Sequence, residues 1–139
     1  MRVTFARQAG QVFPAARVFS GMRTAYVLIT ILAVLAYGYA ACLNFVGAES
    51  VRVVADKVQV SQRWMIPFGM LLTAGAVGLL VGLVVPALGI AAAIGLVLYF
   101  ICALGAHLRV RDTGIAGAVG FLVLAVAALI ASLGYHNHL

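Results

Sequence analysis

The sequence predicts an all-α integral membrane protein: a four-helix bundle, up-down-up-down, with a short amphipathic segment between spans one and two. Three observations carry that expectation. From Trp64 to Leu108 the chain runs 45 residues without one Asp, Glu, Lys or Arg. A single helix of that length would reach about 68 Å at about 1.5 Å per residue, and a bilayer's hydrocarbon core is about 30 Å thick. The run therefore has to cross, turn and cross back, and Pro86 stands near its midpoint. The composition agrees, with 65% of 139 residues apolar, 9% charged and a mean hydropathy of +1.18. Soluble domains average about 45–50% apolar and about 25% charged, so this chain lacks the polar surface that water requires.

Residues 1–23 read as a basic N-terminal arm with Arg2, Arg7, Arg17 and Arg23, interrupted by Pro14 and expected to form a loose tail. Met22-Arg23 directly precedes the first span and offers an alternative start. The transmembrane domain is expected over residues 24–135. Its first span covers about 24–45, between Arg23 and Glu49, and is too long for the core of a signal peptide. Residues 46–63 form a polar connector. Within it Val51, Val54 and Val58 share one face at helical spacing, which predicts a short helix lying on the membrane surface.

The second span covers about 64–84. Trp64 suits the interfacial belt, and Pro67 falls in the first turn, where a missing N–H matters least. Pro86 marks the turn. The third span covers about 87–108 and the fourth about 114–135, entered through Asp112-Thr113-Gly114, with Asp112 or Thr113 as the cap. Residues 136–139 are a C-terminal tail. Four spans place both chain ends on one face of the membrane.

Lipid tails provide no hydrophobic drive between helices, so association depends on small residues that let backbones approach. Ala74, Gly78 and Gly82 repeat every four residues on the second span, and Gly89 and Ala93, with Ala91 and Gly95, do so on the third. Gly114 and Ala118, with Ala116 and Gly120, continue the pattern on the fourth. Packing within the chain is the expected use, and a homodimer face is the alternative.

On the first span Tyr26, Thr30, Tyr37 and Asn44 fall at spacings of four and seven and so lie on one face. Hydrocarbon leaves such groups unpaired, so they should turn inward. Thr73 and Tyr99 are placed to meet them. Thr30, Tyr37, Asn44, Thr73 and Tyr99 are thus candidates for a quinone or lipid pocket, with interhelical hydrogen bonding as the plainer account.

No Asp, Glu, Lys or Arg lies within any span, which argues against a pump or ion-coupled carrier. Eight of the nine cations are Arg, and they cluster at the ends of apolar runs. That points to membrane lipid rather than nucleic acid as the partner of a net charge of +6. The densest polar cluster is His107-Leu108-Arg109-Val110-Arg111-Asp112. His107, Arg109 and Arg111 are candidates for an anion or headgroup site, with an interfacial anchor as the alternative. The tail histidines His136 and His138 read as a frayed end rather than a metal site. No catalytic set can be assembled. Cys42 and Cys102 stand alone, without a CxxC.

Two stretches resemble the DoxX-like family of four-span bacterial membrane proteins. "FGMLLTAGAVGLL" (Phe68–Leu80) is similar to that family's G-x-x-E-x-x-G-A-x-x-L-L second span, and "AHLRVRDTG" (Ala106–Gly114) to its H-L-R-x-x-D after the third. The family's glutamate would fall at Leu72. The resemblance implies links to quinone-reducing and oxidative-stress complexes. It also implies cytoplasmic termini, which would place His107–Asp112 outside. The expected function is a small accessory subunit without catalytic activity of its own, associated with a membrane complex of redox type in the bacterial plasma membrane. A quinone- or lipid-binding oxidoreductase component is the alternative, and a small-molecule carrier the second. No cofactor is required by this reading, and quinone is the one considered.

Overall fold

The computed structural model describes residues 2–137, with side chains from Ala15 onward. The elements are α1 (Arg2–Phe45), α2 (Glu49–Lys57), a single 3-10 turn (Gln62–Trp64), α3 (Met65–Val81), α4 (Pro86–Arg109) and α5 (Ala116–His136). Four helices are long and apolar enough to span a bilayer, and the all-helical bundle is the expected one. α1 packs on α3 and α5, and α4 packs on the same two, closing a ring. At one end Tyr26 of α1 stacks on Tyr135 of α5 with ring centroids 5.0 Å apart, so the first span starts where the last one ends.

The basic arm is not a loose tail. It is helical and continuous with the first span, so α1 runs 44 residues. At about 1.5 Å per residue that is roughly twice the thickness of the hydrocarbon core.

The central hairpin turns earlier than Pro86. α3 ends at Val81, residues 82–85 make the turn, and Pro86 is the first residue of α4. A first-turn proline gives up no helical hydrogen bond, and it holds Val85 extended at φ −118°. Gly82 and Gly89 bring the two backbones into contact there. A Cβ added to Gly82 would lie 2.3 Å from the Cα of Gly89. The small-residue face of α3 is Gly75, Gly78 and Gly82, covered by Leu96, Ala92 and Gly89 of α4. Ala74 faces outward instead.

Three turns share one cap geometry. After α1, Ala48 N–H bonds Leu43 O (2.9 Å) and Gly47 N–H bonds Asn44 O (3.2 Å), with Gly47 left-handed at φ +62°. After α2, Val60 bonds Ala55 and Gln59 bonds Asp56, with Gln59 at φ +57°. After α4, Asp112 bonds His107 and Arg111 bonds Leu108, with Arg111 at φ +54°. This is the Schellman motif, which pairs the last free carbonyls of a helix. Glycine is its usual centre, and two of the three here lack it.

The core is built from Ala33, Tyr37 and Ala41 of α1, Leu72, Ala76 and Leu79 of α3, Ala93, Leu96 and Phe100 of α4, and Ala125 and Ala128 of α5. Small residues on all four of these helices admit the rings of Tyr37, Phe100 and Phe121, whose centroids lie 5.3–5.8 Å apart.

Candidate functional site

The inward face of α1 forms as its spacing requires. Tyr26, Thr30, Tyr37 and Asn44 are all buried. They do not share one pocket. Tyr26 donates its hydroxyl to Gly82 O (3.0 Å) at the hairpin turn. Tyr37 is wholly enclosed and donates to Phe121 O (2.9 Å). Thr30 lies between them, within the packed interior. Thr73 faces outward and bonds its own helix at Gly69 O (2.8 Å). Of the five candidates, Asn44 and Tyr99 come together.

They meet in a cavity of about 360 Å³ beneath α2. Val51, Val54, Ala55 and Val58 form its roof, and Met65 and Phe68 of α3 one wall. Tyr99, Cys102, Ala103, Ala106 and His107 of α4 supply another. The apolar face of α2 is therefore turned onto the bundle, over the cavity, and not only toward the membrane surface. Arg109 fixes it there: its Nη2 donates to Val58 O, 3.0 Å away, at the end of α2.

The walls are apolar apart from Asn44, Ser61, Tyr99 and His107. Asn44 is 7% exposed, and its amide nitrogen donates to Ala40 O (2.9 Å). That leaves its oxygen as an acceptor without a partner among the described residues. His107 is also 7% exposed, and its Nδ1 lies 2.8 Å from Oδ2 of Asp112. The spacing of five residues between them follows from the Schellman cap. His107 provides the carbonyl that the Asp112 N–H closes, so the two side chains stack at the same corner.

Asp112 uses its other oxygen to accept the Gly114 N–H (3.0 Å), so it caps its own loop. α5 begins later than that capping would place it, at Ala116, without a side-chain cap. The Gly114 N–H, then the His107 ring, hold the Asp112 carboxyl below the usual carboxylate range, with Lys57 of α2 adding in the same direction. An ionised Asp112 places the hydrogen on Nδ1 of His107 and leaves Nε2 free. Nε2 has no hydrogen-bond partner among the described residues.

His107, Arg109 and Arg111 thus have separate placements. His107 lines the cavity, Arg109 binds the α2 terminus, and Arg111 is exposed at the cap. Leu72, where the resemblance would put a glutamate, is 2% exposed and packs in the core. Of the tail histidines, His136 packs edge-on against Tyr26, and His138 lies outside the described residues.

Sequence reasoning missed Ser61, Phe68 and Cys102 as cavity residues. They come from three separate segments, and no local pattern links them. Phe68 alone carried a signal, because Trp64 stands one helical turn before it. The two rings stack with centroids 6.1 Å apart.

The model of a family described as DoxX-like matches residues 28–133, most of the chain and all four spans' hydrophobic centres. No curated protein and no solved structure matches.

Proposed function

This chain belongs to the DoxX-like family of membrane proteins, and we propose that it binds the head of a membrane-soluble amphiphile, of quinone or lipid type, in the cavity beneath α2. It does so as a non-catalytic component of a larger membrane assembly of redox type. The observation that carries the reading is the cavity itself: about 360 Å³, walled by apolar side chains, with two deeply buried polar groups facing it. Apolar walls with a few placed polar groups are the usual make-up of a small-molecule site. The absence of any Asp, Glu, Lys or Arg from the interior of the spans supports a binding rather than a pumping role.

We place the protein in a bacterial plasma membrane with both ends cytoplasmic, which puts the cavity on the outer side. The chain's one tryptophan makes the test direct. Trp64 stacks on Phe68, and Phe68 lines the cavity. A short-chain benzoquinone added to the protein in nanodiscs should quench Trp64 saturably, and Ala103→Phe, which fills the cavity, should abolish saturation. Linear quenching, identical in both proteins, would refute occupancy. Co-purification in mild detergent tests the assembly: a chain that always isolates alone counts against a subunit role.

A further inference from the structure

The polar groups of the cavity carry an asymmetry that identifies what the ligand's head has to offer. Asn44 lines the cavity with its amide N–H on Ala40 O, 2.9 Å away, and its oxygen is an acceptor without a partner among the described residues. His107 lines the cavity with its Nδ1 on the Asp112 carboxylate, 2.8 Å away, and its Nε2 has no partner among the described residues. A neutral imidazole has one donor nitrogen and one acceptor nitrogen, and the partner of one decides the other. With a carboxylate at Nδ1, the neutral ring carries its hydrogen on Nδ1 and has Nε2 as its acceptor. Both residues are 7% exposed, and neither the Asn44 oxygen nor Nε2 of His107 has a hydrogen-bond partner among the described residues.

Building on the amphiphile-binding reading above, we propose that the cavity recognises its ligand through a hydroxyl on the head, which donates to Nε2 of His107, with Asp112 as the positioning residue that sets the ring's tautomer. The class is a hydroxylated amphiphile: a phenol or hydroquinone ring on an apolar chain, or an alkyl-alcohol lipid. A head that only accepts hydrogen bonds displaces water from both acceptors without replacing its bonds, and binds more weakly. The charged groups around the ring do not compete for Nε2. Asp112 is held at Nδ1, Arg109 is drawn to Val58 O, and Lys57 acts on Asp112 from α2.

The same geometry supplies a tautomer switch. In Asp112→Asn the side-chain oxygen can keep the Gly114 N–H, which now bonds Oδ1 at 3.0 Å, while an NH2 replaces the oxygen facing His107. That NH2 donates to Nδ1, moves the ring hydrogen to Nε2 and turns the cavity-facing nitrogen into a donor. A donor there does not distinguish an alcohol oxygen from an ether oxygen.

The experiment uses Trp64 quenching in nanodiscs at pH 8 with two pairs of bromine-labelled probes. One pair is para-(ω-bromooctyl)phenol and its methyl ether, the other ω-bromoundecanol and its methyl ether. The expected result is saturable quenching in which the hydroxyl member binds about tenfold tighter than its ether, the ratio one hydrogen bond to a buried acceptor supports. The phenol pair leading assigns the site to ring-headed ligands, and the alkyl pair leading assigns it to alcohol lipids. Asp112→Asn should bring each pair to equal affinity, with the ether rising toward the hydroxyl member because the Nε2 hydrogen now serves either oxygen. His107→Phe should also equalise each pair, by lowering the hydroxyl member to the level of its ether, and the two opposite routes guard against a folding effect of either change. Equal binding of hydroxyl and ether in the wild type overturns the hydroxyl assignment and leaves the cavity standing. A preference that survives in Asp112→Asn overturns the tautomer argument. Absence of saturable quenching by all four probes overturns the cavity reading itself.

Discussion

Replacing Gly82 with alanine puts a methyl carbon 2.3 Å from the Cα of Gly89 and 2.9 Å from its nitrogen. Carbon atoms at rest sit about 3.5–4.0 Å apart, so α3 and α4 have to separate by more than about 1 Å. Neither side of the contact can yield by changing rotamer, because both are backbone. Moving Gly82 also draws its carbonyl from the Tyr26 hydroxyl, now 3.0 Å away. Overpacking of this kind costs about 1–3 kcal/mol, and a contact between two backbones belongs at the upper end. Helix propensity returns at most about 1 kcal/mol, since Gly82 has φ −59°, which alanine accepts. The net expectation is a loss of about 2 kcal/mol. Gly95→Ala and Gly120→Ala are the internal controls. A Cβ at either meets nothing within 4 Å, so each should gain about 0.5–1 kcal/mol from propensity alone. Reversible unfolding in mixed micelles of increasing SDS fraction, followed by circular dichroism, reads all three. A Gly82→Ala protein that unfolds with the wild type would refute the close hairpin. A Gly95→Ala protein that loses as much as Gly82→Ala would mean that this open face is covered by another chain.

Tyr37→Phe should cost about 0.6 kcal/mol in the same assay and leave probe binding unchanged, because its hydroxyl serves Phe121 O and not the cavity; loss of binding would contradict that placement. Arg111→Gly should stabilise by up to about 1 kcal/mol, since a left-handed conformation at φ +54° costs an L-residue about 1–2 kcal/mol and glycine's freedom in the unfolded chain takes back part of the gain. An unchanged or lower unfolding midpoint would speak against the strain. Arg109→Gln, too short to reach Val58 O, should speed amide exchange in α2 while α3 and α4 keep wild-type protection; equal exchange throughout would show that the clamp is dispensable. The Asp112 carboxyl is held below its usual range in the fold, so its contribution to stability is present above the ordinary value of about 3.9 and disappears as pH falls through the lower folded value. The unfolding midpoint of Asp112→Asn should therefore fall less on acidification than that of the wild type, and parallel curves would rule this out.

The spans were legible because a bilayer sets a fixed length and excludes charge, so hydropathy along the chain is already a structural statement. The inward face of α1 was legible for the same reason. Hydroxyls and an amide at spacings of four and seven have one tolerable direction in a membrane, and Tyr26, Thr30, Tyr37 and Asn44 all took it. The extent of α1 was not legible, since a polar, arginine-bearing segment reads as a tail whether or not it continues a helix.

Tertiary structure decided which of the polar groups meet. Facing inward does not say at what depth a neighbour's side chain arrives, so Tyr37 is closed off by Phe121 while Asn44 opens on a cavity with Tyr99 and His107. The α3 stripe shifted from Ala74 to Gly75 because crossing geometry, not the four-residue repeat alone, selects the face. The left-handed caps at Gln59 and Arg111 carry no glycine to announce them, yet the second of these turns Asp112 back onto His107. Sequence thus determined that this chain crosses the membrane four times and which groups must avoid lipid. Only the packed bundle decided which of them enclose a space together, because that depends on the depth and crossing angle at which helices meet, and neither is a property of any one segment.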